Sequence, residues 1–248
     1  IVTPLKDRIG SQILTHYPET VEVAQTITQQ EAGLQGNRIV EVHVPELAKE
    51  LVEQIGFAAR KSEYIDLKSG ISARMSITAF ENLMSTAERR ALANGEKATT
   101  VRFGDLMGMI PSITGKVELV YEGEQEGAVM VAETLIGEAA KTMFLNHFPK
   151  IQKLTKENEK TPYDDIVNWF MNESNFELLD EYSQEEYETQ MDRISPLERL
   201  VIAYCPDLEE QEVNFMKELI LWSLVEFNQL SKKRFSEGFT FNDLVNGY

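Results

Sequence analysis

The chain has 248 residues, 42% hydrophobic and 26% charged, enough to bury a substantial core in one large or two modest domains. A formal net charge of −17 argues against nucleic-acid or anionic-membrane binding, since both need clustered Lys and Arg. No apolar run approaches the roughly 20 residues that span a bilayer, and the single Cys205 rules out an intrachain disulfide and fits a reducing, cytoplasmic compartment.

The chain begins at Ile rather than Met, so upstream sequence is expected. Residues 1–18 read as a lead-in with a helical turn. A short helix is predicted over 19–32 from Val21, Val23, Ala24 and Ile27, and a turn from Gly33 to Asn37. Pro45 sits where a helix starts, because its missing N–H does no harm there. Leu47, Leu51, Val52, Ile55, Ala58 and Ala59 carry that helix to about Arg60. The next is predicted from Ser76 to about Asn94, with Ile77, Phe80, Leu83, Met84, Ala87 and Ala91 as its buried stripe. Gly95 suits the position after a helix end. A short helix over Gly104 to Ile110 should stop at Pro111, and residues 116–121 alternate as a short strand or extended segment does.

Another helix is predicted from Gly127 to Asn146, on Val129, Ala132, Leu135, Ile136, Ala139, Met143 and Phe144. Residues 149–162, polar and lysine-rich between Pro149 and Pro162, read as the main linker. Helices follow near 163–172, 195–204 and 208–233, with a final turn near Asn242. Trp169, Trp222 and Phe227 read as core. The fold class is therefore mainly α: a small helical bundle over 19–148, then a further helical region over 163–248. That second region is acidic. Thirteen acidic residues and two basic ones, Arg193 and Arg199, lie between Glu173 and Glu212. A solvated face explains this most simply.

Chemistry-bearing motifs are few. His16, His43 and His147 are isolated, with no partner at metal-ligand spacing. No G-x-S-x-G elbow occurs, nor any G-x-x-x-x-G-K-[ST] phosphate loop. Phe176-Glu-Leu-Leu-Asp-Glu181 has the outline of an apolar strand ending in Asp-Glu. Glu177 interrupts it and no phosphate loop precedes it, so an acidic helix or turn is expected. Two arginines remain: Arg8 in Pro4-Leu-Lys-Asp-Arg-Ile-Gly10, and Arg74 in Gly70-Ile-Ser-Ala-Arg74, just ahead of a long helix.

Their order, with the intervening helices, resembles the C-terminal part of MoxR-like and magnesium-chelatase ATPase-subunit-like AAA+ proteins. Gly70-Ile-Ser-Ala-Arg-Met75 is similar to the Gly-x-Ser-x-Arg-x signature of sensor 2. Pro4-Leu-Lys-Asp-Arg-Ile-Gly10 is similar to the Leu-x-Asp-Arg-Phe segment that ends the AAA+ core, with Ile9 in place of the aromatic. Val101-Arg-Phe-Gly-Asp-Leu106 resembles the segment opening the lid's last helix. Pro111-Ser-Ile-Thr-Gly-Lys-Val-Glu-Leu-Val-Tyr-Glu-Gly123 resembles a stretch of a bacterial subgroup. The resemblance covers about residues 1–145.

The resemblance implies that residues 1–18 end the AAA+ core and that 19–148 form its lid and an adjoining helix. It makes Arg74 a sensor 2 residue that contacts nucleotide phosphates with Gly70 and Ser72 beside it, and Arg8 an arginine finger. It implies ATP and Mg2+ bound mainly by a core outside this chain, a homo-oligomeric (hexameric) ring, and a partner with a von Willebrand factor A domain. The chain alone should then be inactive, while the intact parent is an ATPase that remodels a partner protein or metal-insertion complex. A second reading is a non-catalytic acidic helical interaction module. A third is a helical regulator that binds a small ligand.

Overall fold

The computed structural model describes residues 8–11, 13–33, 39–66, 68–151, 160–173 and 176–244. The expected Gly33–Asn37 turn, the central part of the linker and residues before Arg8 lie largely outside these. The chain is mainly helical, at 58%. Among the described residues no helix is long and apolar enough to cross a membrane.

The first helix, α1, spans Val21–Glu31, with Thr20 Oγ1 accepting from the Val23 N–H at 3.3 Å. A short strand β1, Glu41–His43, leads into α2, Glu46–Ala59, immediately after Pro45. Helix α3 spans Arg74–Ala93, two residues earlier than its apolar stripe predicts. It ends as Gly95 foresaw. Gly95 takes φ +69°, and the Gly95 and Glu96 N–H groups return to Leu92 and Ala91 carbonyls at 3.1 and 2.9 Å. Strand β2, Ala98–Thr100, then pairs in parallel with β1.

Pro111 does not stop a helix. A 3-10 helix, Gly104–Met109, runs straight into α4, Ile110–Thr114, with Pro111 in its first turn. A proline there removes an N–H that would have no helical partner anyway. Residues 116–121 contain one isolated bridge, Ile65 to Leu119, rather than a strand, because α5 begins at once over Tyr121–Glu126. Helix α6, Ala128–His147, buries Val131 while the predicted core residue Val129 is 52% exposed.

The second half holds α7 (Asp164–Asn172), α8 (Gln184–Asp192), α9 (Ser195–Tyr204) and α10 (Glu210–Glu226). It also holds three strands not predicted as such: β3 (Phe176–Leu179), β4 (Ser231–Phe235) and β5 (Gly238–Asn242), antiparallel in the order β3–β5–β4. The expected acidic helix or turn at Phe176 is thus largely an edge strand. Phe176 and Leu178 face the core and Glu177 faces out, so the glutamate that breaks the apolar run marks period-two alternation. The final turn near Asn242 is the end of β5, and the predicted 208–233 helix stops at Glu226, its tail becoming β4.

Helix α6 packs between α2 and α10, and one continuous core runs from Ala32 to Phe241. Ser223 of α10 donates to the Ala140 carbonyl at 3.3 Å, and Phe144 meets Phe227, Phe148 and Tyr163 at 5.0–5.5 Å. Phe215 to Leu224 is buried on every side, including Trp222, which makes α10 the central post of this half.

Candidate functional site

Two places gather polar side chains that the core alone does not explain. The first is the Gly70–Arg74 turn. Ile71 and Met75, each 1% exposed, pin it to the core and leave Ser72 and Arg74 facing out. Gly70 takes φ +72°, and a Cβ there would lie 2.6 Å from the Tyr17 hydroxyl oxygen. That oxygen accepts from the Ile71 N–H at 2.9 Å, so only glycine allows the approach. The Tyr17 ring in turn lies under Arg60, whose guanidinium is 4.6 Å from its centroid. Ser72 Oγ accepts from the Arg74 N–H at 3.2 Å and the Ser72 carbonyl from the Met75 N–H at 2.9 Å, closing the turn that leads into α3.

Arg74 is therefore the first residue of α3 rather than a residue ahead of it. Its side chain is exposed, and no described residue forms an ion pair or hydrogen bond with its guanidinium. A 20-residue helix adds partial positive charge at the same end. This arrangement brings Gly70, Ser72 and Arg74 together. Arg8 sits exposed in a turn at the start of the described chain, and no hydrogen bond or ion pair joins it to them among the described residues.

The second place is a cleft of about 600 Å³ between α3, the 3-10 helix, α10 and the β4–β5 hairpin. Sequence reasoning missed it. Its inner wall holds four charged groups, each 5% exposed or less. Arg90 of α3 pairs with both Asp105 carboxylate oxygens at 3.2 and 2.8 Å and also donates to Thr99 and the Thr100 carbonyl. Asp105 further accepts from the Arg102 N–H at 2.8 Å. The Glu218 carboxylate accepts from the Phe103 N–H at 2.5 Å, which ties α10 to the start of the 3-10 helix.

Arg102 is less well paired. It donates to the Tyr182 carbonyl at 2.8 Å and Gln184 Oε1 at 3.3 Å and lies 4.2 Å from the Tyr187 ring centroid, but its Nε has no partner. Burial, reinforced by Arg90, pushes its pKa down to about 10. Burial pushes the Glu218 carboxyl up to about 7, against the pull of the Phe103 N–H and Arg102. Burial also raises the Tyr187 hydroxyl and, nearer the rim, the Asp180 carboxyl. A local signal existed: Lys217-Glu218 interrupts the apolar middle of α10, and such charges need partners inside.

Among the described residues no group of His, Cys, Asp and Glu is placed to hold a metal ion. Comparison with known protein families, characterised proteins and solved structures finds no match to this chain.

Proposed function

We infer that this chain is the nucleotide-sensing lid and C-terminal part of an AAA+ ATPase of the MoxR or magnesium-chelatase type. The observation that supports the reading best is Arg74: a cation at the start of a long helix, carried on a rigid turn, with no described carboxylate to neutralise it. Guanidinium presents a planar fork of donors to phosphate oxygens, and a helix N-terminus favours the same anion. Such a site fits the outer phosphates of ATP as one contact among several. The bound nucleotide would supply the phosphoryl group, and the chain's own part is to register its presence through Arg74.

Ser72 and Gly70 hold that arginine in place. Tyr17 and the buried Ile71 and Met75 make the turn rigid, so movement of Arg74 toward phosphate carries the bundle with it. Arg8, exposed, is assigned to a neighbouring subunit's nucleotide in a homo-oligomeric ring. A von Willebrand factor A-domain partner belongs to the same reading. Mg2+ falls to the core outside this chain.

The test is ATP hydrolysis by the protein expressed from the complete reading frame, wild type against Arg74→Ala. Loss of a charge-assisted contact to phosphate lowers turnover roughly 10- to 100-fold, with circular dichroism unchanged. Equal rates would make Arg74 a surface residue and favour the reading as an acidic helical interaction module. Specific turnover by the 248-residue chain alone would refute the assignment of the phosphate site to a separate core.

A further inference from the structure

We propose that the cleft between α3 and the β4–β5 hairpin binds a small organic anion, its carboxylate or phosphate group held by Arg102 and Arg89 and its body lodged between the 3-10 helix and the hairpin. This site is distinct from the Arg74 turn and does not rest on the nucleotide-sensing reading.

Size comes first. About 600 Å³ lies within the range of small-molecule sites. The walls come from both halves of the chain, with α3 and the 3-10 helix on one side and α10 and the β-hairpin on the other. Charge comes next. Arg90 is satisfied by Asp105 in a buried bidentate pair, whereas no described carboxylate forms an ion pair with Arg102. Arg89, exposed at the cleft, likewise has no ion pair or hydrogen bond to any described residue. Arg234 on the hairpin is already turned to Glu133 at 3.3 Å. Two guanidinium groups thus retain donors on the cleft.

On the inner wall the acceptors are spent, while the Asp180, Glu181 and Glu237 carboxylates lie on the exposed edge of the cleft, Asp180 within the field of Arg234 and Arg89. Asp105 serves Arg90 and the Arg102 N–H, and Glu218 serves the Phe103 N–H. A cationic ligand fits poorly, because the aromatic walls already carry cations of the chain itself. Lys232 Nζ lies 3.8 Å from the Trp222 ring centroid, Arg102 4.2 Å from Tyr187 and Arg234 5.5 Å from Phe239. A second cation beside these is repelled, while an anion relieves the repulsion between buried Arg90 and Arg102.

Anion binding also has a signature that a purely structural role lacks. Glu218 faces Arg102 and Asp105 from the 3-10 helix and the residues just before it, and Tyr187 from α8. Burial raises the Glu218 carboxyl toward neutral pH and a nearby anion raises it further, so binding at pH 7 takes up protons.

The experiment is isothermal titration of the 248-residue protein with phenyl phosphate and with phenylacetate, in buffers of different ionisation enthalpy at pH 7. Saturable binding of either probe with proton uptake supports the site, and the probe that binds tells phosphate from carboxylate. Arg102→Gln weakens binding roughly tenfold or more and Arg89→Gln several-fold. Glu218→Gln abolishes the proton uptake, and Arg74→Ala leaves the affinity unchanged. Should Arg102→Gln not fold, the exposed Arg89→Gln decides. No saturation by about 10 mM of either probe, or wild-type affinity in Arg89→Gln, overturns the proposal. So does a loss of affinity in Arg74→Ala equal to that in Arg89→Gln.

Discussion

Replacing Glu218 with glutamine removes a buried proton site that couples the two halves of the fold to pH. In the folded chain this carboxyl is 3% exposed and holds its proton up to about pH 7, against an ordinary value of 4.5. The unfolded chain releases the same proton near 4.5. The group's stabilising contribution is therefore complete below that value and is lost as pH rises through about 7. Each factor of ten in proton affinity is worth about 1.4 kcal/mol, so the full swing is about 3 kcal/mol. Glutamine is close in shape to the protonated acid and still offers an oxygen to the Phe103 N–H. Glu218→Gln and wild type should then be nearly equal in stability at pH 4.5, with the variant ahead by up to about 3 kcal/mol at pH 8. Urea unfolding followed by tryptophan fluorescence at several pH values measures the difference, in which titration of the remaining acids cancels. Parallel stability curves for the two proteins across that range would refute the buried, proton-holding Glu218.

Three further outcomes follow from the packing. Arg90→Ala leaves Asp105 as a buried carboxylate without its partner, and the loss should be about 3–5 kcal/mol in urea or thermal unfolding. Gly108→Ala drives a Cβ to within 2.0 Å of Thr86 Oγ1 and should destabilise the fold by about 1–3 kcal/mol. Adding Thr86→Ala should recover part of that loss, and strict additivity in the double-mutant cycle would show that α3 and the 3-10 helix do not meet there. Tyr17→Phe removes the acceptor of the Ile71 N–H and should lower stability by about 1 kcal/mol. Faster amide exchange at Ile71 would locate the loss at the turn that carries Arg74.

What the sequence by itself determined is the helical frame. Long amphipathic stripes have a period that survives any tertiary arrangement. Pro45, Gly95 and the apolar positions of α2, α3 and α10 therefore placed those elements to within a few residues at most ends. The Gly70–Arg74 segment stood out in the sequence by its glycine, serine and arginine, but that it forms a turn leading into a helix that begins at Arg74 came from the structure. The Ser183 and Glu186 pair was equally local, a capping box that opens α8, and it went unread in an acidic stretch.

Only the tertiary structure decided the strands and the cleft. The strands are three to five residues long and, apart from the β4–β5 hairpin, find partners far along the chain, as Glu41 does in Ala98 and Phe176 in Phe241. Nothing local reports a pairing that closes across 57 or 65 residues. The cleft is less local still. Arg102, Glu218 and Trp222 gain their environment only when α10 is buried against the N-terminal helices and the β-hairpin folds over it. Desolvation depends on what surrounds a group in space, and several separate segments supply those surroundings here.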